Sequence, residues 1–426
     1  MPISVRLDKE KCKGCTRCVK QCPTEAIRVR FGLAKILEDR CIDCAQCVRV
    51  CPQHAKRAVA DSLDDIKKFR HTIVLPAPSL YGQFNALDDV NIVLQALLDL
   101  GFDEVFEVAA AAELLSDLTL RELDESSFEK PVISSACPAV VRLISQRFPN
   151  LIPHISEHIA PVELAAKLAR ERARAATGLD DRDIGVFFIS PCPAKVTEAH
   201  YPLGLKEPVI DGALSMAEVY KLLLPLMKRV KNPPKLRTAG FTGVGWASAG
   251  GEARPLRKYN VISCDGLENV IRLLDAIEDK FLPDVDYLEL LACEPGCVGG
   301  CLTAVNPFAA RARIMRLSGA ADIKLKPLDI DDVYKVWRGE RIRHTPTTIL
   351  DEDFRKAIEK LKRIEDLNES LPGLDCGSCG SPGCHALAQD VVMGYAEETD
   401  CIFNARAQME DGGDGQHYLP PPFRRR

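Results

Sequence analysis

Cys12-Lys13-Gly14-Cys15-Thr16-Arg17-Cys18-Val19-Lys20-Gln21-Cys22-Pro23 recurs further along the chain as Cys41-Ile42-Asp43-Cys44-Ala45-Gln46-Cys47-Val48-Arg49-Val50-Cys51-Pro52. Both runs read C-x2-C-x2-C-x3-C-P, and their approaches also match, Leu7-Asp8 before the first and Leu37-Glu38-Asp39 before the second. A small unit has been copied once. At this spacing three thiolates wrap one iron–sulfur cube while the fourth reaches the cube of the other run. The spacing predicts one [4Fe-4S] cluster on Cys12, Cys15, Cys18 and Cys51, and a second on Cys41, Cys44, Cys47 and Cys22. Paired zinc knuckles are the competing reading, but zinc sites seldom combine three cysteines at these intervals with a following Cys-Pro.

Outward from the repeat, the chain has 426 residues, 56 Lys+Arg against 61 Asp+Glu for a net charge of −5, 46% apolar residues and 18 cysteines. At roughly 100 to 200 residues per domain, that length predicts several domains with a sizeable core. The near-neutral balance, without a polybasic block, argues against nucleic acid or an anionic membrane surface as the main partner. No apolar run approaches the length of a membrane span, and residues 1–8 lack the apolar core of a signal peptide. The reading is a soluble cytoplasmic protein, a compartment in which clustered cysteines point to metal rather than disulfides.

Residues 61–349 have another texture, apolar runs alternating with longer amphipathic segments. Residues 72–75, 131–133, 184–189 and 287–291 read as buried strands of a parallel sheet, with helices over 90–100 and 139–147 between them. Each strand runs into a conspicuous motif. The first meets Pro76-Ala77-Pro78-Ser79, the second Ser134-Ser135-Ala136-Cys137-Pro138-Ala139, and the third Ser190-Pro191-Cys192-Pro193-Ala194-Lys195. The fourth meets Ala292-Cys293-Glu294-Pro295-Gly296-Cys297-Val298-Gly299-Gly300-Cys301. Loops beyond the carboxyl ends of parallel strands converge on one site. Cys137, Cys192, Cys293 and Cys297 there make the ligand set of one more [4Fe-4S] cluster.

Other features mean less. The basic stretch at 170–174 reads as a solvated helix face, Cys264 as a small buried hydrophobe, and Cys301 as a spare thiol beside the third motif. His154 and His158 stand at a helical metal spacing, but Pro153 and the polar surroundings favour a surface turn. Gly240, Gly243 and Gly245 miss the dinucleotide pattern because Ser248 takes its last position, and no phosphate-loop run occurs.

A charge-rich helix over 350–370 reads as a connector. Beyond it, Cys376, Cys379, Cys384 and Cys401 surround a Gly-rich loop and a helix expected over 385–398, a third small cluster module at 371–404. Structural zinc is the alternative there. The tail, 405–426, is Gly/Pro-rich toward its end and expected to be disordered.

Read as x-Cys-Pro-x, Pro-Cys-x-Ala-Lys and Ala-Cys-x-x-Gly-Cys-Val-x-Gly-Gly, the three loop motifs resemble the active-site signatures of [FeFe]-hydrogenases, the iron-only hydrogenase large subunits. The resemblance covers about residues 1–350. It implies an α/β hydrogenase domain (61–349) with an H-cluster between two parallel-sheet lobes, an N-terminal two-cluster ferredoxin-like α+β domain (1–60), and the small C-terminal iron–sulfur module. It also implies that Cys137, Cys192, Cys293 and Cys297 hold the H-cluster cubane. Cys297 would bridge to a di-iron subcluster carrying CO, cyanide and an azadithiolate. Lys195 would donate to one cyanide, Pro78 and Ser79 would line the cavity, and Gly250-Gly251 would let the backbone approach the subcluster. The implied partners are H2 and protons, a ferredoxin-like redox carrier or signalling partner, and hydrogenase maturation proteins.

The sequence departs from that pattern at four places. Ala136 stands where catalytic members carry a second cysteine as proton donor. Ser190 and Leu291 stand where methionine is usual, and Glu294 is set between two ligands, as a loop carboxylate or a substitute proton acceptor. These departures imply slow turnover and resemble the sensory branch of the family, although no kinase, phosphatase or PAS-like segment is evident. A rival reading is a non-catalytic iron–sulfur carrier, akin to the cluster-assembly factor related to these hydrogenases. Retention of Lys195 favours the hydrogenase, because without an anion it is a costly buried ammonium. Loss of the relay cysteine and both methionines favours the carrier. A ferredoxin fused to a scaffold leaves the third motif unexplained.

Overall fold

The computed structural model describes residues 2–125, 129–282, 284–319 and 335–410. The chain divides into two compact units, and the first joins Met1–Cys41 and Ala45–Arg57 with Thr345–Arg426. The first cysteine repeat, all of the second but Ile42–Cys44, and the C-terminal module belong to this unit, tied by bonds such as Arg40 to Gln389 across 349 positions of sequence.

In this unit β1 (Val5–Leu7) pairs with β4 (Lys56–Ala58), and β2 (Ile27–Arg30) forms an antiparallel hairpin with β3 (Leu33–Ile36). Each repeat carries one short helix, Arg17–Lys20 and Gln46–Arg49, entered through a left-handed residue, Thr16 or Ala45. The core is small: Val5, Val19, Ile27, Val29 and Ala34 pack around Cys18 and Cys47. So little apolar surface makes cluster binding a large part of such a module's stability.

At the C-terminal end, Asp353 caps helix Phe354–Ser370 by accepting from Arg355 N at 2.8 Å. Ile364 and Leu367 pack with Leu387, Ala388, Cys379 and Cys401. Asp390 fastens this module to the hairpin, receiving Arg28 Nε at 2.6 Å, Arg30 at 3.2 Å and the Ser381 hydroxyl at 2.8 Å. The pairing is buried and multiply bonded, the condition under which desolvation is offset. The helix after the Gly-rich loop ends at Val392, short of the expected residue 398, because Gly394 adopts a left-handed turn (φ 76°). The start of the expected disordered tail is helical, Ile402–Glu410, and residues 411–426 lie outside the described residues.

The second unit comprises Ile42–Cys44 and Ala58–His344. Its strands are β5 (His71–Pro76), β6 (Glu104–Val105), β7 (Val132–Ile133), β8 (Ile184–Ser190), β9 (Gly212–Ser215), β10 (Val261–Asp265) and β11 (Tyr287–Leu291). They form two parallel sheets, ordered β6-β5-β8-β9 and β10-β11-β7. Strands covered on both faces read as continuous apolar runs, and every residue of β8 is buried. Helix Pro161–Thr177 packs on β5, β8 and helix Val108–Glu125. Among the described residues no helix is long and apolar enough to cross a membrane.

The histidine pair departs from expectation. His154 bonds the Pro131 carbonyl at 3.1 Å, whereas His158 is buried, with Nε2 2.9 Å from Glu122 Oε1 and its ring edge-on to Trp337. A carboxylate partner and an aromatic wall make that site a satisfied core histidine rather than a surface turn.

Candidate active site and metal centres

In the small unit, Cys12, Cys15, Cys18 and Cys51 line one cavity of about 20 Å3 together with Lys56. Burial pushes the Cys18 thiol up to about 11, with Lys56 opposing and Cys12, Cys15 and Cys51 adding to the rise. Cys47 is pushed up to about 12 by burial, again opposed by Lys56 and raised by Cys22 and Cys18. Backbone amides point at the sulfurs: Ala26 N at Cys22 (3.2 Å), Ala55 N at Cys51 (3.3 Å) and Ala34 N at Cys12 (3.5 Å). Buried thiols crowded together and bonded by amides suit thiolates held by iron, since metal binding removes their protons. In the C-terminal module Cys379 and Cys401 are buried, Cys384 is partly buried and Cys376 is exposed. Gly377 and Gly380 bend the loop that carries the first two (φ 72° and 84°). Among the described residues no three His, Cys, Asp or Glu side chains close tightly enough on a single metal ion. Cys12, Cys15, Cys18 and Cys51 ring a cavity instead.

In the large unit, Cys137 and Cys192 occupy N-cap positions of helices Pro138–Arg147 and Pro193–His200, each followed by proline at the first helical position. Proline needs no partner there, and the helix N-terminus favours a thiolate. The Ile42–Cys44 segment packs with these helices. Ile42 joins the apolar cluster that includes Cys137 and Cys192, and Asp43 accepts from Thr197 Oγ1 at 2.7 Å and faces Arg142 at 3.6 Å. The third-motif loop is held by two glycines. A Cβ at Gly296 would meet Ala249 N at 2.5 Å, and one at Gly299 would meet Glu294 O at 1.9 Å. The four thiols feel one another: Cys297, half-buried, is pushed up to about 12 by desolvation, with Lys195 opposing and Cys137 and Cys293 adding to the rise, and Cys192 is raised well above its usual range by burial, Cys293 and Cys297.

Beside Cys297 lies a cavity of about 50 Å3, well above the roughly 10–15 Å3 that one water needs. Pro78, Ser79, Ala136, Lys195, Leu291 and Cys297 line it, together with Trp246, Glu252, Glu289 and an apolar wall that includes Val108, Val162 and Phe188. Lys195 Nζ donates to Ala136 O at 3.0 Å and lies 3.7 Å from Glu198 Oε2. Burial disfavours its charge, but Glu198 and the thiols of Cys297, Cys192 and Cys137 more than offset that and raise it. Ser79 Oγ is fully buried without a hydrogen-bond partner. An ammonium and an orphaned hydroxyl on the wall of a largely apolar cavity fit an anionic, hydrogen-bond-accepting group, as a cyanide-bearing di-iron unit is.

Four sequence candidates lie elsewhere: Ser190, Glu294, Gly250 and Gly251. Ser190 is buried, its hydroxyl donating to Cys192 O at 2.9 Å and so bracing the ligand's turn. Glu294 is exposed, over Gly266, and is not among the residues lining the cavity. Gly250 and Gly251 do not line it either: the close approach is between Gly251 and the Gly245 carbonyl, while Gly250 N donates to Glu289 Oε2 at 3.1 Å.

Sequence reading had missed Glu252 and Glu289. Glu252 receives Ser134 Oγ at 2.8 Å and Tyr287 OH at 2.6 Å, and Ser134 Oγ in turn accepts Ala136 N at 3.2 Å. Glu289 accepts Gly250 N and Ala253 N, at 3.1 and 3.2 Å. Burial, then the Glu289 charge, lifts Glu252 to about 8; burial also raises Glu289, although its amide donors pull it back. The Glu289 charge opposes ionisation of Glu252, so the buried pair favours keeping a proton over ionising at both carboxyls. The readable signal was Glu289, a lone charge inside an apolar strand.

Four cysteine sets, two parallel sheets and a largely apolar cavity beside the third-motif cysteine define an iron–sulfur redox protein. The chain belongs to the iron-only hydrogenase large-subunit family: that family's C-terminal domain matches residues 70–235 and 227–301, together more than half of its length. A 4Fe-4S dicluster domain matches residues 11–56, and an Fe-S cluster family matches residues 371–403. Iron hydrogenase 1 of Clostridium pasteurianum is 27% identical over 71% of this chain and 66% of that protein. The periplasmic [Fe] hydrogenase large subunit of Nitratidesulfovibrio vulgaris is 28% identical over 50% of this chain and 56% of its own length. A cytosolic Fe-S cluster assembly factor, nar1 of Aspergillus terreus, is 31% identical over 27% of this chain and 18% of its own. The chain therefore spans less than two thirds of these relatives. Among solved structures, an [FeFe]-hydrogenase from Chlamydomonas reinhardtii shares the fold at TM-score 0.50 and 16% identity, over 65% of this chain and 95% of that one.

Proposed function

We propose that this chain is a slow H2-activating protein of the sensory kind, interconverting H2 with two protons and two electrons at an H-cluster. The observation that carries the reading is the cavity wall that joins Cys297 to the Lys195 ammonium and the orphaned Ser79 hydroxyl. Cys137, Cys192, Cys293 and Cys297 would hold the cubane, and the di-iron unit beside Cys297 would supply the site at which H2 is cleaved. Lys195 and Ser79 bind and orient that anionic group through hydrogen bonds, which are strong in a dry pocket. The apolar wall excludes water. Ala136 has no proton to give, so the proton is held at Glu252, whose value near 8 suits exchange at neutral pH. Ser134 and Tyr287 fix that carboxyl with hydrogen bonds. Clusters held by the N-terminal and C-terminal cysteines would supply electron storage and the route to a ferredoxin-like carrier or a signalling partner. Maturation proteins supply the di-iron unit, and the setting is cytoplasmic.

Infrared spectroscopy of anaerobic protein loaded with the di-iron unit tests this reading. Bands in the CO and cyanide region that shift under H2 support it. A protein that holds its iron–sulfur clusters but never takes up the di-iron unit is instead a carrier or assembly factor, the reading to which the similarity with nar1 points.

A further inference from the structure

The two cysteine repeats share their cysteines, the proline after the fourth and the alanine beyond it, and they differ sharply at the buried residue that follows. Cys22-Pro23-Thr24-Glu25-Ala26-Ile27 matches Cys51-Pro52-Gln53-His54-Ala55-Lys56, and in both copies the alanine amide bonds the cysteine sulfur, at 3.2 and 3.3 Å. The next residue opens a strand and is buried in both, Ile27 at 2% exposure and Lys56 at 3%. Ile27 suits that place; an ammonium does not. Lys56 Nζ is buried and has no hydrogen-bond partner. Leaving a charge there uncompensated is costly. No carboxylate lines its cavity: Lys56 stands there with Cys12, Cys15, Cys18 and Cys51, beside Lys13, Arg17 and an apolar wall, and its charge acts on Cys18 of that set and on Cys47 of the other.

We infer that Lys56 is a potential-setting residue shared by the two N-terminal clusters, its ammonium serving as the counter-charge for both thiolate sets. Each cluster takes up one electron from its reductant and gains one negative charge. A fixed positive charge nearby favours that reduced form, so it raises both reduction potentials. The second repeat's departure from its copy makes the pair a better electron sink. This inference concerns the N-terminal clusters and does not depend on the di-iron unit.

The test is an EPR-monitored redox titration of the full chain with reconstituted iron–sulfur clusters and no di-iron unit, comparing the parent with Lys56→Met, Lys56→Ile and Lys56→Arg. Both N-terminal signals are expected to move to lower potential in Lys56→Met and Lys56→Ile and to stay near the parent in Lys56→Arg, with the remaining cluster signals unmoved. Loss of cluster iron in the two apolar variants with retention in Lys56→Arg also supports the counter-charge. Unchanged potentials in a fully loaded Lys56→Met, an equal shift in all variants, or loss of iron in all three overturns it.

Discussion

Two buried carboxyl pairs flank Lys195, and they keep different company. Glu163 and Glu198 face cations. Glu163 is lifted to about 8 by burial and by Glu198, with Arg338 and Lys195 opposing, and its Oε2 accepts Ala160 N at 2.9 Å to cap a helix. Glu252 and Glu289 face hydroxyls and amides and stand on the cavity wall. The first pair balances charge; the second can hand a proton to the cavity. Burial and a neighbouring carboxylate lift Glu163 and Glu252 alike, so the donors around a carboxyl, rather than its displaced value, separate a relay from a brace.

The sharpest way to break this contrast is to remove one ionisable oxygen from each pair. Glu252→Gln should lower H2 turnover by about 10²-fold or more while the infrared bands of the loaded site persist, whereas Glu163→Gln should leave turnover close to the parent's. Equal losses would erase the distinction. Ala136→Cys should act in the opposite direction, raising turnover by restoring a thiol at a cavity-lining position, measured by H2 evolution at saturating reductant.

A smaller effect is expected in stability against pH. The folded value of Glu252, about 8, lies above its ordinary 4.5. The folded chain therefore keeps a proton that the unfolded chain releases, and stability falls as pH rises from about 4.5 through about 8. Glu252→Gln should flatten that part of the Tm profile followed by circular dichroism. The smallest change should come from Ser134→Ala, which removes one hydroxyl donor and should cost about 1–3 kcal/mol in urea unfolding.

The strands were legible because burial on both faces leaves nothing to alternate: β5, β8 and β11 appear as apolar runs at nearly their observed bounds. The cavity-lining Pro78, Ser79, Ala136, Lys195, Leu291 and Cys297 were legible because short motifs sit at strand ends. Glu252 was not, since its role depends on Ser134 and Tyr287, which only folding brings to it. Nor was the union of the chain's two ends, which rests on pairings such as Arg28 with Asp390, 362 positions apart, beyond any local pattern. Glu294 was read as either a loop carboxylate or a proton acceptor, and its exposure agrees with the first, which its place between two ligands alone could not decide.

The most direct test of the central claim is isotope exchange: di-iron-loaded protein in H2O under D2, with HD followed by mass spectrometry. Cleavage of D2 at the cavity with proton exchange through Glu252 predicts slow HD formation, slower again in Glu252→Gln. Protein whose infrared bands prove the di-iron unit present, yet which forms no HD, would contradict the account.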